Sequence, residues 1–169
     1  PQTIHYDKAY LSFSLSDMRT LESGAQISIG AFKDLALRPG GKLTANGFHA
    51  LLPLKSAPQA KDLGFDMTLA FRGSESLKFA PLGLENDFQV ASTWPSRKFI
   101  GEVRPQVSEA SEQGFTANWR PSGLARSYSQ AWTASNTRDN LSKSQNFLTG
   151  VSLYERFGTY GQIERAIKY

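Results

Sequence analysis

Cysteine is absent from this chain, which removes disulfides, thiol nucleophiles and cysteine-bound zinc, and leaves cytoplasmic and oxidising compartments equally open. Histidine is scarce. His5 and His49 are the only two, and they stand too far apart to act as paired ligands one helical turn from each other. The sequence also lacks any run of about 18 apolar residues and any signal peptide, so it offers no membrane-spanning helix of its own. The chain opens on Pro1 rather than methionine, and we expect a piece excised from a longer protein. Charge of one sign is modest, with 19 Lys and Arg against 15 Asp and Glu for a net +4. The nearest basic run is Arg97-Lys98, followed at once by Phe99-Ile100. Nucleic-acid binders concentrate Lys and Arg on one element, so nucleic acid is not an expected partner.

What is present is a globular composition, with 11 Phe, 6 Tyr, 3 Trp and 20% charged residues in 169. That length suits a single domain over 1–169. Over 10–16, Leu11, Phe13 and Leu15 alternate with Ser12, Ser14 and Ser16, the period of a half-buried strand. The same period runs over 65–71, after which Arg72-Gly73-Ser74 predicts a turn and 77–79 a return strand, together a hairpin. Further strands are expected over 27–37, 48–54, 88–92, 115–119, 127–132 and 151–157. Turn signals separate them: Pro39-Gly40-Gly41, Asn46-Gly47, Pro81-Leu82-Gly83, Gln113-Gly114 and Pro121-Ser122-Gly123. Short strands at this spacing predict an all-β fold, an antiparallel β-sandwich of roughly ten strands. Helix is a minor component, expected near the C-terminus over 160–169 and in a short stretch over 17–22. The polar, aperiodic segment 134–146 is expected to be a loop.

Signatures of catalysis are sparse in the sequence. No Gly-x-Ser-x-Gly or Ser-x-x-Lys arrangement occurs, and Gly40-Gly41-Lys42 lacks the rest of a phosphate-binding loop. Asp66, Glu85, Asp87, Glu102 and Glu155 flank expected strands, but no pair stands out as the two carboxylates of a glycosidase. His5 and Asp7 make at most two metal ligands. No catalytic residue, metal site or cofactor is assigned. Trp94, Trp119, Trp132, Tyr154 and Tyr160 offer aromatic surface for a carbohydrate or peptide groove, although Trp119 is in phase with Phe115 and Ala117 as a core residue would be.

From residue 69 onward the order of motifs resembles the extracytoplasmic part of the CreD family of inner-membrane proteins. Phe71-Arg72-Gly73-Ser74 is similar to that family's Leu-Arg-Gly-Ser turn, and Pro81-Leu82-Gly83 follows at the expected interval. Ser92-Thr93-Trp94-Pro95, Phe99, Gly101 and Pro105 resemble its next segment, and Gly114-Phe115-Thr116-Ala117-Asn118-Trp119 its Gly-Phe-x-Ala-x-Trp motif. Leu124-Ala125-Arg126 and the closing Gly150-Val151, Leu153, Glu155, Tyr160, Arg165-Ala166 and Lys168-Tyr169 continue the series. Departures fall at Ser96-Arg97-Lys98, at Arg104 and at Arg156-Phe157-Gly158.

The resemblance implies a non-catalytic domain on the periplasmic face of the inner membrane, tethered by membrane segments of the full-length protein and supporting envelope integrity. Its partner would be an envelope protein or cell-wall polymer. The alternatives are a sandwich that binds peptidoglycan or lipopolysaccharide and, behind it, a hydrolase with a cryptic site. The residues expected to form a contact surface or to hold the fold are Arg72, Trp94, Pro95, Phe99, Gly101, Trp119 and Arg126.

Overall fold

The computed structural model describes residues 8–15, 18–42, 46–52, 64–73 and 75–154. The helix expected over 160–169, together with His5, Asp7 and Glu155, lies outside them. The chain forms two compact units, Pro1–Gly73 and Ser74–Tyr169.

In the first unit, β1 (Ala9–Phe13), β3 (Leu37–Pro39) and β4 (Phe48–Leu52) make an antiparallel sheet in the order β1-β4-β3, and β2 (Gln26–Ile29) pairs with β5 (Phe65–Thr68). The period of two sends alternate side chains to opposite faces. Phe48 and Ala50 are buried on one side, where the Phe13 ring meets Phe48 at 5.2 Å and Phe65 at 5.7 Å between centroids. Ile27 and Ile29 add the buried face of β2. The single strand expected over 27–37 is interrupted by a tight turn, in which Ile29 and Phe32 exchange two backbone bonds of 2.9 Å and Gly30 takes a φ of 53°. A 3-10 turn, Met18–Thr20, occupies part of the short helix expected over 17–22.

The expected hairpin over 65–79 does not form. β5 pairs with β2, and Arg72 donates its backbone N–H to Thr20 O at 2.8 Å, so Arg72 and Gly73 complete the first unit instead.

The second unit contains β6 (Ser76–Phe79), β7 (Phe88–Ser92), β8 (Arg97–Gly101), β9 (Val107–Ser111), β10 (Gly114–Trp119), the helix α1 (Thr137–Asn146) and β11 (Thr149–Leu153). They build two three-stranded antiparallel sheets, β7-β10-β9 and β6-β11-β8. Phe115, Ala117 and Trp119 of β10 pack with Val151 of β11, and Leu77, Phe79, Phe88, Val90 and Phe99 close around them. This is the sandwich the alternation implies, all-β with one short helix late in the chain. Trp119 is fully buried, with the rings of Phe79 and Phe99 standing edge-on to it at 5.3 and 5.5 Å. The first and last strands lie side by side: Ser76 is opposite Ser152, and Leu153 donates to Glu75 O at 2.7 Å.

Two further expectations are corrected. The segment 134–146 is a 3-10 turn leading into α1 rather than a loop. Its inward face is polar: Asn140 and Ser144, one helical turn apart, are the buried residues, Asn140 Nδ2 donates to Asn136 O at 3.0 Å, and Asn140 Oδ1 accepts from Ser129 N at 3.0 Å. Residues 127–132 form no strand: the Ser129 backbone N–H, which a ladder would use, donates to Asn140 Oδ1 instead.

Candidate functional site

In the second unit the loops 81–86 and 121–128 are tied together by a dense set of hydrogen bonds. Asn86 is the hub: its Oδ1 accepts from Gly83 N at 2.9 Å, and its Nδ2 donates to Gly83 O at 2.9 Å and to Pro121 O at 3.0 Å. Gly123 N donates to Leu84 O at 2.8 Å. A Cβ at Gly123 would lie 2.4 Å from Gly83 O, so the loops approach this closely only because that residue has no side chain. Ser122 Oγ caps the following 3-10 turn by accepting from Leu124 N at 3.2 Å.

Arg126 donates to the carbonyls of Leu82 and Gly83, with its guanidinium 5.4 Å from the centre of the Tyr128 ring. The Tyr128 hydroxyl donates to Pro81 O at 2.6 Å. Burial raises the pKa of that phenol, against a smaller lowering by the positive charge of Arg126.

This bracing holds apolar side chains out in water. Leu82 is 51% exposed, Leu84 55% and Leu124 88%. Leucines carried singly on a surface need no explanation, but here three are exposed on two loops fixed to one another. Pro81-Leu82-Gly83 and Pro121-Ser122-Gly123 were legible as turns, but not the exposure of the leucines they carry or precede.

The seven residues expected to matter fall in both units. Arg72 lies in the first unit, its side chain 87% exposed and its Nε 2.8 Å from Glu22 Oε1. Phe99 and Trp119 are packing partners in the core of the second unit. Gly101 sits where β8 meets β11 with a φ of 90°, and a Cβ there would fall 2.0 Å from Leu148 O. Trp94 and Pro95 occupy the β7–β8 connection, where the Trp94 indole N–H donates to Tyr154 O at 2.8 Å and Pro95 O accepts from Arg97 Nη1 at 3.1 Å. Of the seven, Arg126 alone belongs to the leucine-bearing loops.

Arg97 opens β8 with its guanidinium 5.5 Å from the Phe99 ring centre and 4.9 Å from that of Phe115, so this cation caps the core.

Among the described residues no three His, Asp or Glu side chains converge as metal ligands. Asp87 accepts from Asn118 and pairs with Arg120 Nε at 3.0 Å. Ser12 stands opposite His49 in the β1–β4 register, yet Ser12 Oγ accepts from the Lys42 backbone N–H at 2.9 Å, and His49 Nδ1 donates to Gly40 O at 2.7 Å.

A family model described as "Inner membrane protein CreD" matches residues 1–169. The chain belongs to the CreD family. Over 103 residues it is 30% identical to the inner membrane protein CreD of Escherichia coli (strain K12), a stretch amounting to 60% of this chain and 23% of that protein. No solved structure matches it. The CreD family match extends beyond the motifs that begin at residue 69 and takes in the first unit as well. Membership groups the chain with inner-membrane proteins, although among its described residues no helix is long and apolar enough to cross a membrane.

Proposed function

We propose that this part of the CreD-family protein is a non-catalytic module on the periplasmic face of the inner membrane, and that it supports the cell envelope by docking an envelope protein. The observation that carries the reading is the exposure of Leu82, Leu84 and Leu124 on loops fixed by Asn86, Gly123, Arg126 and Tyr128. A rigid apolar surface loses little conformational entropy on binding, and its burial is worth roughly 25 cal/mol per Å2 before the costs of association.

Leucine favours a protein partner over a polysaccharide, which is held more often by stacked aromatic rings and hydrogen bonds. Trp119, one of the three tryptophans that could have stacked on a sugar, is fully buried.

The 169 residues contain no cysteine, so Leu124→Cys adds a thiol at this surface, and adducts of the full-length variant are compared with those of the full-length parent treated with the same thiol crosslinker. We expect one specific membrane or envelope adduct from that position. The triple Leu→Ser variant at 82, 84 and 124 should abolish both binding of that partner and the envelope phenotype while leaving thermal stability within a few degrees. A stable triple variant that keeps phenotype and partner refutes the reading.

A further inference from the structure

The first unit carries a second surface, unrelated to the leucine loops. The sheet β1-β4-β3 buries Phe48 and Ala50 on one side. Its other side is read from the register. Ser12 is opposite His49, and His49 is opposite Arg38, so these three make one row across the sheet, with Tyr10 opposite Leu51 in the next. His49 is 9% exposed and its Nδ1–H is committed to Gly40 O, which fixes the turn carrying Arg38 on one side and Lys42 on the other. Lys42 is held in turn, its backbone N–H on Ser12 Oγ and its ammonium 4.6 Å from the centre of the Tyr10 ring. Lys8, also exposed, immediately precedes β1.

The segments 8–13, 37–42 and 48–52 contain Lys8, Arg38 and Lys42 and no Asp or Glu. Among the described residues no carboxylate pairs with any of the three cations. Beside them Tyr10 is 39% and Leu51 43% exposed.

We propose that this face binds the phosphates of anionic phospholipid headgroups at a bilayer surface. Uncompensated Lys and Arg attract anionic headgroups, and a tyrosine with an apolar body and a polar tip suits the zone between headgroup and acyl chain. A free phosphate would satisfy the cations but leave Tyr10 and Leu51 wet, whereas a lipid surface satisfies both. Membership in a family of inner-membrane proteins supplies the proximity. His49 acts here as a positioning residue, because it holds the turn between Arg38 and Lys42.

The test is flotation of the 169-residue chain with vesicles of phosphatidylcholine alone and of phosphatidylcholine mixed with phosphatidylglycerol, at physiological ionic strength. Binding to the mixed vesicles should exceed binding to the neutral ones about tenfold, and Arg38→Gln with Lys42→Gln should weaken it about fivefold for each charge removed. Lys78→Gln with Lys98→Gln, exposed residues of the second unit, removes the same net charge and should change binding less than about twofold. All four positions are exposed, so the variants should melt with the parent chain. Equal binding to both vesicle types overturns the proposal. So does an Arg38/Lys42 variant that binds like the parent, or a Lys78/Lys98 variant that loses as much. Displacement from mixed vesicles by inorganic phosphate, at constant ionic strength, would show a site for the free anion and likewise overturn it.

Discussion

The indole N–H of Trp94 donates to the carbonyl oxygen of Tyr154 at 2.8 Å, fastening the β7–β8 connection to the residue that follows β11. Tyr154 returns a bond from its own N–H to Ser96 O at 3.2 Å, so the strand end is gripped at both main-chain groups. Trp94 remains 42% exposed, which gives it a structural hold on one edge and free surface on the other. Trp94→Phe, which keeps a ring and loses the donor, should cost about 1 kcal/mol, and Trp94→Ala about 2. For a unit of this size that is a fall of several degrees in melting temperature. Unaltered melting together with a lost envelope phenotype would make Trp94 a contact residue instead.

Gly101 should tolerate no side chain. Its φ of 90° and the 2.0 Å approach of a Cβ to Leu148 O act together, and the obstacle is backbone rather than a movable side chain. Gly101→Ala should destabilise by about 3 kcal/mol or more in denaturant titration. A cost near zero would mean that β8 and β11 meet differently.

Helix α1 owes its position to Asn140. Asn140→Ala removes the acceptor for Ser129 N in a buried setting and should cost about 1–3 kcal/mol, whereas Lys143→Ala, which removes only an exposed pair with Asp139 at 2.7 Å, should stay within about 0.5 kcal/mol. Chemical denaturation of the two variants side by side decides it, and equal costs would count against a polar anchor.

Tyr128 should make stability fall in alkali. Its folded pKa is raised, chiefly by burial, so the unfolded chain loses the phenol proton first as pH increases. The stabilisation is therefore complete below the ordinary tyrosine value of about 10 and is lost as pH rises past it toward the folded pKa. Thermal melts from neutral pH to pH 11 should show a steeper alkaline decline for the parent chain than for Tyr128→Phe. Parallel declines would refute the assignment.

Strands that bury one face were legible because alternation is a local property: Leu11 with Phe13, and Phe115 with Ala117 and Trp119, announce their faces without reference to any partner. Partner choice was not. β5 pairs with β2 and β6 with β11, and no turn rule links residues so far apart. β8 was hidden because Arg97 reads as charge while its guanidinium lies on Phe99 and Phe115; β9 was hidden because all five of its residues are exposed. α1 was hidden because Asn140 and Ser144 face inward in place of the apolar stripe that marks a helix. At the candidate site, the turn at Pro81-Leu82-Gly83 was readable, but the exposure of Leu82 and Leu124 depends on bonds from Asn86, Arg126 and Tyr128 that only the fold brings together.

Because β6 and β11 run antiparallel with Ser76 against Ser152, tension applied between Glu75 and Tyr154 would act at one end of that pair. The two strands would then peel apart one hydrogen bond at a time, a zipper rather than a shear joint. A modest pull between those two residues should therefore open this edge of the second unit, while its sandwich resists compression.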